Sequence, residues 1–385
     1  MIDADADAGP GSSERAQTWA ATMEGHRRVP GCRFAHEAGG PAIGPCTPLG
    51  RAEREERESR DLAPGATRAV GAGDRARPEE PDAVRTCFER DRDRILHSTA
   101  FRRLAGKTQV FVFPADHQRT RLTHALEVAQ VATSLARSLR LNVALAEAIA
   151  LGHDCGHGPG GHASEDAFAP YVAGGYDHAV WGADVVLAPL NLTAEVLDGI
   201  RNHSWSRPAP STPEGEVVSW ADRIAYCAHD LEDAVAAGLV ALDEVPEVVR
   251  ERCGVTRSGQ LRAFIDDLVA TTMSCGCVAM SDTMADALAA LRDFNYRTIY
   301  TRPEAREQGA TVVRMLRALV DRLAAGPGGA TGDGSAGGED AVGRAVAYVA
   351  GMTDRYACEA ALRQLGWPAS ALPRGFDMPG DGRHR

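Results

Sequence analysis

Histidine and carboxylate side chains are concentrated in one short segment, residues 151–165. It contains three histidines and two carboxylates, namely His153, Asp154, His157, His162 and Glu165. Imidazole nitrogens and carboxylate oxygens are common ligands of divalent metal ions. The adjacent pair His153 and Asp154 stands where an apolar helical pattern gives way to a glycine-rich turn. These residue types in this arrangement predict a metal-binding site.

The remaining ligands of such a site have to come from other parts of the chain. His124 lies at the start of a long amphipathic helical pattern, and Asp222 lies in a strongly helical stretch. With His153 and Asp154 they offer two nitrogen and two carboxylate ligands from three helices. Helices packed in a bundle can direct such side chains to one centre. A metal ion held there would leave positions for a water nucleophile and a substrate oxygen.

Helical periodicity assigns these candidates to particular surroundings. The pattern over residues 143–152 is apolar nearly all round, so we expect a buried helix that ends at His153. Asp222, Tyr226 and Asp230 are spaced four residues apart and therefore share one face of their helix. The site is expected where that face meets the end of the buried helix.

Composition limits the class of protein. The chain has 385 residues and a formal net charge of −11, which argues against nucleic-acid binding by the surface as a whole. A local basic pocket is compatible with this balance. No apolar run reaches the length of a membrane span, and the acidic N-terminus lacks the apolar core of a signal peptide. We therefore expect a cytoplasmic protein that does not bind membranes, with its nine cysteines as free thiols.

The distribution of residue types predicts an all-α fold. Alanine, leucine and valine dominate, aromatic residues are few, and almost no strand pattern is present. Residues 1–50 are rich in glycine, proline and aspartate and are predicted to form a poorly ordered extension. Residues 51–367 are predicted to form one domain that contains a glycine-rich loop at 324–339. Residues 368–385 are predicted to form a flexible tail.

Further motifs accompany the histidine-rich segment in a recognisable order. They read Arg90-Asp91-Arg92-Asp93-Arg94-Ile95, Phe101-Arg102-Arg103-Leu104, Lys107-Thr108-Gln109-Val110-Phe111, Arg119-Thr120-Arg121-Leu122-Thr123-His124, Gly152-His153-Asp154, Trp220-Ala221-Asp222-Arg223-Ile224-Ala225-Tyr226, His229-Asp230 and Ala350-Gly351-Met352-Thr353-Asp354-Arg355. With this set the chain resembles the HD-domain deoxynucleoside triphosphate triphosphohydrolases, in particular the bacterial dGTPase-like proteins.

The resemblance implies a fold, a reaction and a cofactor. The fold would be an HD-domain helical bundle with additional C-terminal helices. The reaction would cleave a dNTP, either dGTP or several dNTPs, into the deoxynucleoside and inorganic triphosphate. The cofactor would be a divalent metal ion, Mn²⁺ or Mg²⁺ or another transition metal. The implied metal ligands are His124, His153, Asp154 and Asp222.

The resemblance also assigns roles around the substrate. It places His162 near the scissile phosphate as a catalytic residue, supported by Glu165 and His178. The substrate-binding group comprises Arg121 and Arg223 at the triphosphate, Gln109, Tyr226 and Asp230 near the sugar, Tyr300 against the deoxyribose, and His157. For His157, a hydrogen-bonded turn residue is the alternative interpretation.

Two positions depart from the pattern of the family. Gly160 stands where an apolar aromatic is usual, and Ala179 stands in a segment that commonly carries polar amides. Two alternatives therefore stay open: another HD-type phosphohydrolase, acting on nucleoside monophosphates or cyclic nucleotides, and a nucleotide-binding regulatory module with weakened catalysis. The resemblance further implies a homo-oligomer, often a hexamer, and leaves open a nucleotide activator. A basic groove at an oligomer interface could also hold single-stranded nucleic acid.

Overall fold

Helices form nearly all the regular structure of residues 13–23, 25–27, 29–326 and 339–376, which are the residues described by the computed structural model. Sixteen α-helices lie in these ranges: α1 Glu14–Thr22, α2 Arg51–Asp61, α3 Cys87–Leu96, α4 Thr99–Arg103, α5 Arg121–Ser138, α6 Val143–Gly152, α7 Ala163–Phe168, α8 His178–Trp181, α9 Ala194–Arg201, α10 Pro213–Ala236, α11 Glu247–Cys253, α12 Arg257–Cys275, α13 Asp282–Asn295, α14 Pro303–Ala324, α15 Glu339–Ala350 and α16 Asp354–Ala360. Turns of π-helix extend three of them, Gly182–Val186 after α8, Tyr296–Tyr300 after α13 and Ala361–Leu365 after α16. The all-α prediction is confirmed.

Residues Met1–Leu49 form a unit separate from Gly50–Arg385. Within the smaller unit, Ser13 caps α1 by accepting a hydrogen bond from the Ala16 amide. Two short antiparallel strands, β1 His26–Arg27 and β2 Arg33–Phe34, follow this helix. The poor order predicted for residues 1–50 stays a prediction.

Two other predicted segments fall partly outside the described residues. The glycine-rich loop predicted at 324–339 includes residues 327–338, and the predicted tail at 368–385 includes residues 377–385. In the described part of the chain, no helix is both long enough and apolar enough to cross a membrane.

The larger unit has two apolar cores. The first contains buried side chains of α3, α5, α6, α9, α10 and α13. Helix α6 lies within it, as its apolar sequence predicts, and Asn142 caps this helix by accepting from the Leu145 amide. The second core is formed chiefly by α7, α14, α15 and α16. The segment between α6 and α7, which carries the histidine-rich sequence, therefore runs from one core to the other.

Candidate metal centre

The four predicted metal ligands lie together inside the larger unit. His124 is on α5, His153 and Asp154 directly follow α6, and Asp222 is on α10. His124 Nε2 lies 3.0 Å from Asp222 Oδ1 and 3.9 Å from Asp154 Oδ2. His153 Nε2 lies 3.5 Å from Asp154 Oδ1 and 3.7 Å from Asp222 Oδ1. These separations match those between ligands that share one ion at about 2.0–2.2 Å.

The orientation of His153 fits a metal ligand. Its Nδ1 lies 2.7 Å from the carbonyl oxygen of Ala150, which can only accept a hydrogen bond. The neutral ring therefore carries its proton on Nδ1 and has a lone pair on Nε2. That Nε2 is buried and has no hydrogen-bond partner among the described residues. A ligating histidine commonly donates its other N–H to a carbonyl in this way.

Electrostatics keep both carboxylates ionised. Burial raises the pKa of Asp154, but the charge of Arg121, together with the neighbouring imidazoles of His153 and His157, outweighs it and holds that pKa well below its usual range. Burial likewise raises the pKa of Asp222, and the hydrogen bond from His124 with nearby imidazole charges lowers it below its usual range. Two anionic carboxylates in a buried site favour a bound cation.

A second group of residues lies beside the first. Glu165 Oε1 accepts from His178 Nδ1 at 2.6 Å and from the His178 amide at 3.1 Å. Glu165 Oε2 lies 3.3 Å from His162 Nδ1. The rings of His157 and His178 are stacked, with centroids 3.7 Å apart. Burial raises the pKa of Glu165, but the hydrogen bonds with His162 and His178 lower it by a larger amount. This carboxylate therefore stays ionised and orients two imidazoles.

Exposure separates the histidines of this group. The side chain of His162 is 72% exposed, whereas that of His157 is 1% exposed. Burial, followed by the charges of Arg121 and His178, holds the pKa of His157 well below its usual range. His157 is therefore neutral near pH 7, while the ring of His162 is open to solvent.

Arg121 supplies buried positive charge with free donors. Its Nη1 donates to Asp154 Oδ2 at 2.7 Å, and its side chain is 2% exposed. The Nε and Nη2 groups of Arg121 are buried and have no acceptor among the described residues. Unpaired buried guanidinium donors are costly. An anionic ligand that accepts from them would remove this cost.

The turn that carries His157 is fixed from the second core. Lys107, the only lysine in the chain, donates its Nζ to the carbonyl oxygens of His157 and Ala350. Asp354 Oδ1 accepts from the Gly160 amide at 2.8 Å, and its Oδ2 accepts from the Thr108 amide at 2.9 Å. The position of the turn therefore depends on residues more than 190 positions away in sequence.

Two glycines of the turn are required by close packing. A Cβ atom at Gly156 would lie 1.9 Å from the carbonyl oxygen of His178, so a side chain there would displace α8. At Gly160 φ is +74°, and a Cβ atom would lie 2.5 Å from Val312 Cγ1. Val312 thus occupies the space into which a side chain at position 160 would project.

Three of the predicted sugar contacts form a separate group, Tyr226 and Asp230 on α10 and Tyr300 in the π-helical turn after α13. Tyr300 donates its hydroxyl to Asp230 Oδ2 at 2.5 Å, and Tyr226 accepts at its hydroxyl from Arg292 Nε at 3.0 Å. Asp230 Oδ1 is buried without a partner among the described residues. Burial raises the pKa of Asp230 to about 7, because the hydrogen bond from Tyr300 lowers this pKa by less than burial raises it. Asp230 is therefore partly protonated at neutral pH.

Arg223 and Gln109 have no hydrogen bond to the four predicted ligands within the described ranges. The Arg223 guanidinium lies 3.5 Å from the ring centroid of Trp205, and its buried Nε has no acceptor there. The Oε1 of Gln109 is likewise buried and unpartnered in the described structure. Their roles at the triphosphate and at the sugar stay predictions.

Comparison with known proteins supplies the family. The HD domain model matches residues 121–227, and the phosphohydrolase-associated domain model matches residues 278–363. A deoxyguanosinetriphosphate triphosphohydrolase-like protein of Caldanaerobacter subterraneus subsp. tengcongensis is 41% identical, over 79% of this chain and 92% of that protein. A deoxyguanosinetriphosphate triphosphohydrolase-like protein 1 of Deinococcus radiodurans is 37% identical, over 81% of this chain and 99% of that protein.

The chain belongs to the deoxyguanosinetriphosphate triphosphohydrolase-like family. The resemblance drawn from its motifs is confirmed. Its HD domain makes it a member of a phosphohydrolase family whose HD domains bind divalent metals. His124, His153, Asp154 and Asp222 all lie within the matched HD region, whereas Tyr300 lies in the matched phosphohydrolase-associated domain.

Three residues outside the predicted set also belong to the site region. His203 Nε2 lies 3.2 Å from His178 Nε2, and candidate ligand atoms of His203, His153 and Asp222 lie within 4.8 Å of one another. Lys107 and Asp354 hold the histidine-rich turn. Lys107 is the only lysine in the chain and lies within a recognised motif, and this is the sequence signal that would have identified it. His203 follows α9 with no motif around it.

Proposed function

We propose that this member of the deoxyguanosinetriphosphate triphosphohydrolase-like family hydrolyses a deoxynucleoside triphosphate to the deoxynucleoside and inorganic triphosphate, with Mn²⁺ or Mg²⁺. Water would attack the α-phosphorus, the bond between that phosphorus and the 5′-oxygen would break, and the 5′-oxygen would take up a proton. Membership of the family supports phosphohydrolase chemistry. The choice of a triphosphate substrate is our inference from the charges around the site.

The observation that carries the proposal is the buried guanidinium of Arg121. One of its nitrogens is paired with Asp154, while Nε and Nη2 have no acceptor among the described residues. A guanidinium presents its donors as a planar fork that matches phosphate oxygens. Since Asp154 also belongs to the candidate metal centre, a phosphate bound by Arg121 would lie beside the ion.

The residues of the chain divide the chemistry between them. His124, His153, Asp154 and Asp222 would hold a divalent ion, which supplies charge stabilisation at phosphoryl oxygens and lowers the pKa of water. Arg121 would bind phosphate oxygens, and the exposed His162 would deliver a proton to the leaving 5′-oxygen. Glu165 would orient His162 and His178 through its two carboxylate oxygens.

The group around Asp230 suits a neutral sugar. A carboxyl group whose pKa is raised to about 7 can donate as well as accept hydrogen bonds near neutral pH. Its unpartnered Oδ1 is therefore available to the 3′-hydroxyl of a deoxyribose. Tyr226 and Tyr300 flank the same helical face and would pack against the sugar ring.

Product analysis tests the proposal. The purified protein is incubated with each of the four dNTPs and with GTP, with and without Mn²⁺, and the products are separated by chromatography. We expect deoxynucleoside and inorganic triphosphate in equal amounts, only with metal. Asp154→Asn, which keeps the shape of the side chain but loses its charge, serves as the control for contaminating activity.

Three results would contradict the proposal. Release of orthophosphate or pyrophosphate from every dNTP would exclude breakage of the bond between the α-phosphorus and the 5′-oxygen and favour another HD-type phosphohydrolase. Binding of dNTPs without turnover at any metal concentration would favour the regulatory module. Equal turnover by wild type and Asp154→Asn would place the activity outside this site.

A further inference from the structure

The ring of Trp205 supports the guanidinium of Arg223. The Cζ atom of Arg223 lies 3.5 Å from the centroid of the Trp205 ring, so the guanidinium is stacked on the indole. Arg223 directly follows Asp222, and Trp205 follows His203 by two positions. Candidate ligand atoms of His203 and Asp222 lie within 4.8 Å of each other. Both members of the stacked pair are therefore close neighbours, along the chain, of the candidate metal centre.

Stacking leaves the hydrogen-bond donors of Arg223 unused. A guanidinium presents its N–H groups in its own plane, whereas a stacked ring covers only one face of that plane. The Nε of Arg223 is buried without an acceptor, and no carboxylate pairs with this guanidinium in the part of the chain that the structure describes. A buried N–H group without an acceptor is costly, and an anionic ligand would remove that cost.

Arg119 shows the opposite arrangement. Its guanidinium donates to the carboxylates of Glu127, Glu232 and Asp233. These carboxylates offset its charge and occupy its donors, as in a structural network of ion pairs. Arg223 is held by an aromatic ring instead, so its charge and its donors stay available to an anion.

Trp205 is itself held by the turn of α10 that precedes Arg223. Its Nε1 donates to the carbonyl oxygen of Ser219 at 3.3 Å, and its ring meets that of Trp220 edge-on, with centroids 4.7 Å apart. Ser219 and Trp220 lie four and three residues before Arg223, so both are its neighbours on the helix surface. Because 46% of Trp205 is exposed, filling a core does not account for this residue. Its contacts instead fix an indole under the guanidinium.

We propose that Trp205 is a positioning residue that holds Arg223 in the orientation that binds the polyphosphate part of the substrate. The nature of the anion rests on the proposed function, in which the resemblance assigns Arg223 to the triphosphate. An anion bound by Arg223 would lie near the ion held by Asp222, because the two residues are adjacent on α10. The stacked ring orients the guanidinium without competing with phosphate oxygens for its donors.

A direct contact between Trp205 and the nucleobase is the main alternative. An exposed aromatic ring offers a face on which a base can stack. In that arrangement Trp205 would contribute to the binding of nucleotides but not to the binding of free triphosphate. A ligand that has no base therefore separates the two roles.

Binding of inorganic triphosphate tests the proposal without hydrolysis. The full chain, saturated with Mn²⁺, is titrated calorimetrically with inorganic triphosphate while Mn²⁺ is kept in excess. Trp205→Leu is expected to weaken binding about 5- to 30-fold, the effect of losing one cation–π contact that is partly shielded from water. Trp205→Phe keeps an aromatic face and should stay within about threefold of the wild type.

Further variants show whether the effect acts through Arg223. In the Arg223→Met background, Trp205→Leu should cause no further loss of affinity, because the contact that it removes is already absent. Tyr356→Leu is the matched control, since Tyr356 is 40% exposed and Arg363 lies over its ring at 5.8 Å, but on α16. It should bind triphosphate as tightly as the wild type. Bound Mn²⁺ should be unchanged in Trp205→Leu, because the metal ligands are left in place.

Fluorescence keeps the test available if Trp205→Leu does not fold. The difference between the emission spectra of the wild type and Trp205→Phe reports on Trp205 itself. Addition of inorganic triphosphate should change this difference, because the guanidinium stacked on the ring then donates to phosphate oxygens. The same difference, measured in the Arg223→Met background, should not respond.

Several outcomes would overturn the role of Trp205. They are a wild type that does not bind triphosphate, equal affinities of the wild type and folded Trp205→Leu, and a Trp205 emission that triphosphate leaves unchanged. An equal loss with and without Arg223 would show that the two residues act independently. Loss of Mn²⁺ from Trp205→Leu would indicate a general role in the structure of α10. A loss of affinity confined to dNTPs would favour contact with the base.

These results are distinct from those of the product analysis. Release of triphosphate from a dNTP, with normal triphosphate binding by Trp205→Leu, would contradict only the role of Trp205. Coupling between Trp205 and Arg223 in triphosphate binding, with a different product from dNTPs, would contradict only the proposed reaction.

Discussion

Asp222 and Asp230 lie on the same helix, α10, but their carboxyl groups have opposite surroundings. Burial raises the pKa of Asp222, and His124 with two further imidazoles more than reverses this effect. Burial raises the pKa of Asp230 to about 7, and the hydrogen bond from the Tyr300 hydroxyl offsets only part of this increase. The first carboxylate has imidazole partners and stays ionised, whereas the second has a hydroxyl partner and takes up a proton near pH 7.

The comparison shows how one helix can serve two parts of a nucleotide. A carboxylate kept anionic among imidazoles suits a metal ion and, through it, phosphate oxygens. A carboxyl group poised between its charged and neutral forms suits a hydroxyl group, which both donates and accepts. The separation of eight residues, about 12 Å along a helix, is comparable with the extent of a nucleotide. The four predictions below test this contrast.

Replacing the two aspartates separately gives the largest expected difference. Asp222→Asn removes a charged ligand, and we expect loss of bound Mn²⁺ and a fall in turnover of about a thousandfold or more, because a catalytic ion contributes several kcal/mol to the transition state. Asp230→Asn is expected to retain its metal. Metal content by mass spectrometry and turnover of dNTPs check this. Retention of metal by Asp222→Asn, or its loss from Asp230→Asn, would remove the contrast.

The second prediction concerns stability and pH. The pKa of Asp230 is 3.8 in an exposed site and about 7 in the folded protein, so the folded state binds a proton more tightly than the unfolded state. Its contribution to stability is therefore complete below about pH 4 and is lost as pH rises to about 7. At about 1.4 kcal/mol per pKa unit, this amounts to at most about 4 kcal/mol.

Asp230→Asn cannot ionise and should not lose this contribution. The free energy of unfolding of the variant, minus that of the wild type, should rise between about pH 4 and pH 7 and then stay constant. Urea unfolding at a series of pH values measures this difference. A difference that falls over the same range would mean that Asp230 is ionised in the folded protein at low pH and would contradict the comparison.

The third prediction concerns the carboxylate that holds the imidazoles. Glu165→Gln can still accept from His178 Nδ1 but loses its negative charge, so we expect turnover to fall about 10- to 100-fold, the usual effect of removing an outer partner of a site histidine. Asp166→Asn, at an exposed neighbouring carboxylate, is the control and should retain turnover. Equal turnover in Glu165→Gln and Asp166→Asn would show that this charge has no role.

Sequence motifs predicted the elements that carry the ligands better than they predicted what orients them. His124, His153, Asp154 and Asp222 were recognisable because their motifs and helical periodicity place each on a definite face. The orientation of His153 depends instead on the backbone carbonyl of Ala150, which no side-chain pattern encodes. Packing between distant segments likewise cannot be predicted from the pattern of a single sequence.

Gly160 and His203 illustrate how packing between distant segments escapes prediction from the sequence. The absence of an aromatic residue at position 160 reads as a defect in the sequence, yet Val312, 152 positions later, occupies the adjacent space. His203 has no motif, and it reaches His178 because α9 ends beside α8. Both features follow from contacts between helices, and such contacts are set by the whole fold and not by local spacing.

The smallest effect is expected at Tyr300. Tyr300→Phe removes the hydroxyl that donates to Asp230, and one hydrogen bond contributes about 0.5–1.5 kcal/mol to stability. Because this bond lowers the pKa of Asp230, its loss should raise that pKa and move the pH-dependent loss of stability to higher pH. Tyr296→Phe is the control, since Tyr296 lies in the same π-helical turn but is 52% exposed.

The direction of that pKa shift distinguishes Asp230 from Asp222, the other carboxyl group of α10 in this comparison. In the described part of the chain, the only side chain that donates a hydrogen bond to Asp230 is the neutral hydroxyl of Tyr300. Removing it leaves burial as the dominant influence and favours the protonated carboxyl group further. The destabilisation by Tyr300→Phe should therefore be larger at pH 8 than at pH 5, as urea unfolding would show. A larger effect at pH 5 would mean that the hydroxyl binds the neutral carboxyl group more strongly than the carboxylate, and Asp230 would then be held protonated by Tyr300 as well as by burial.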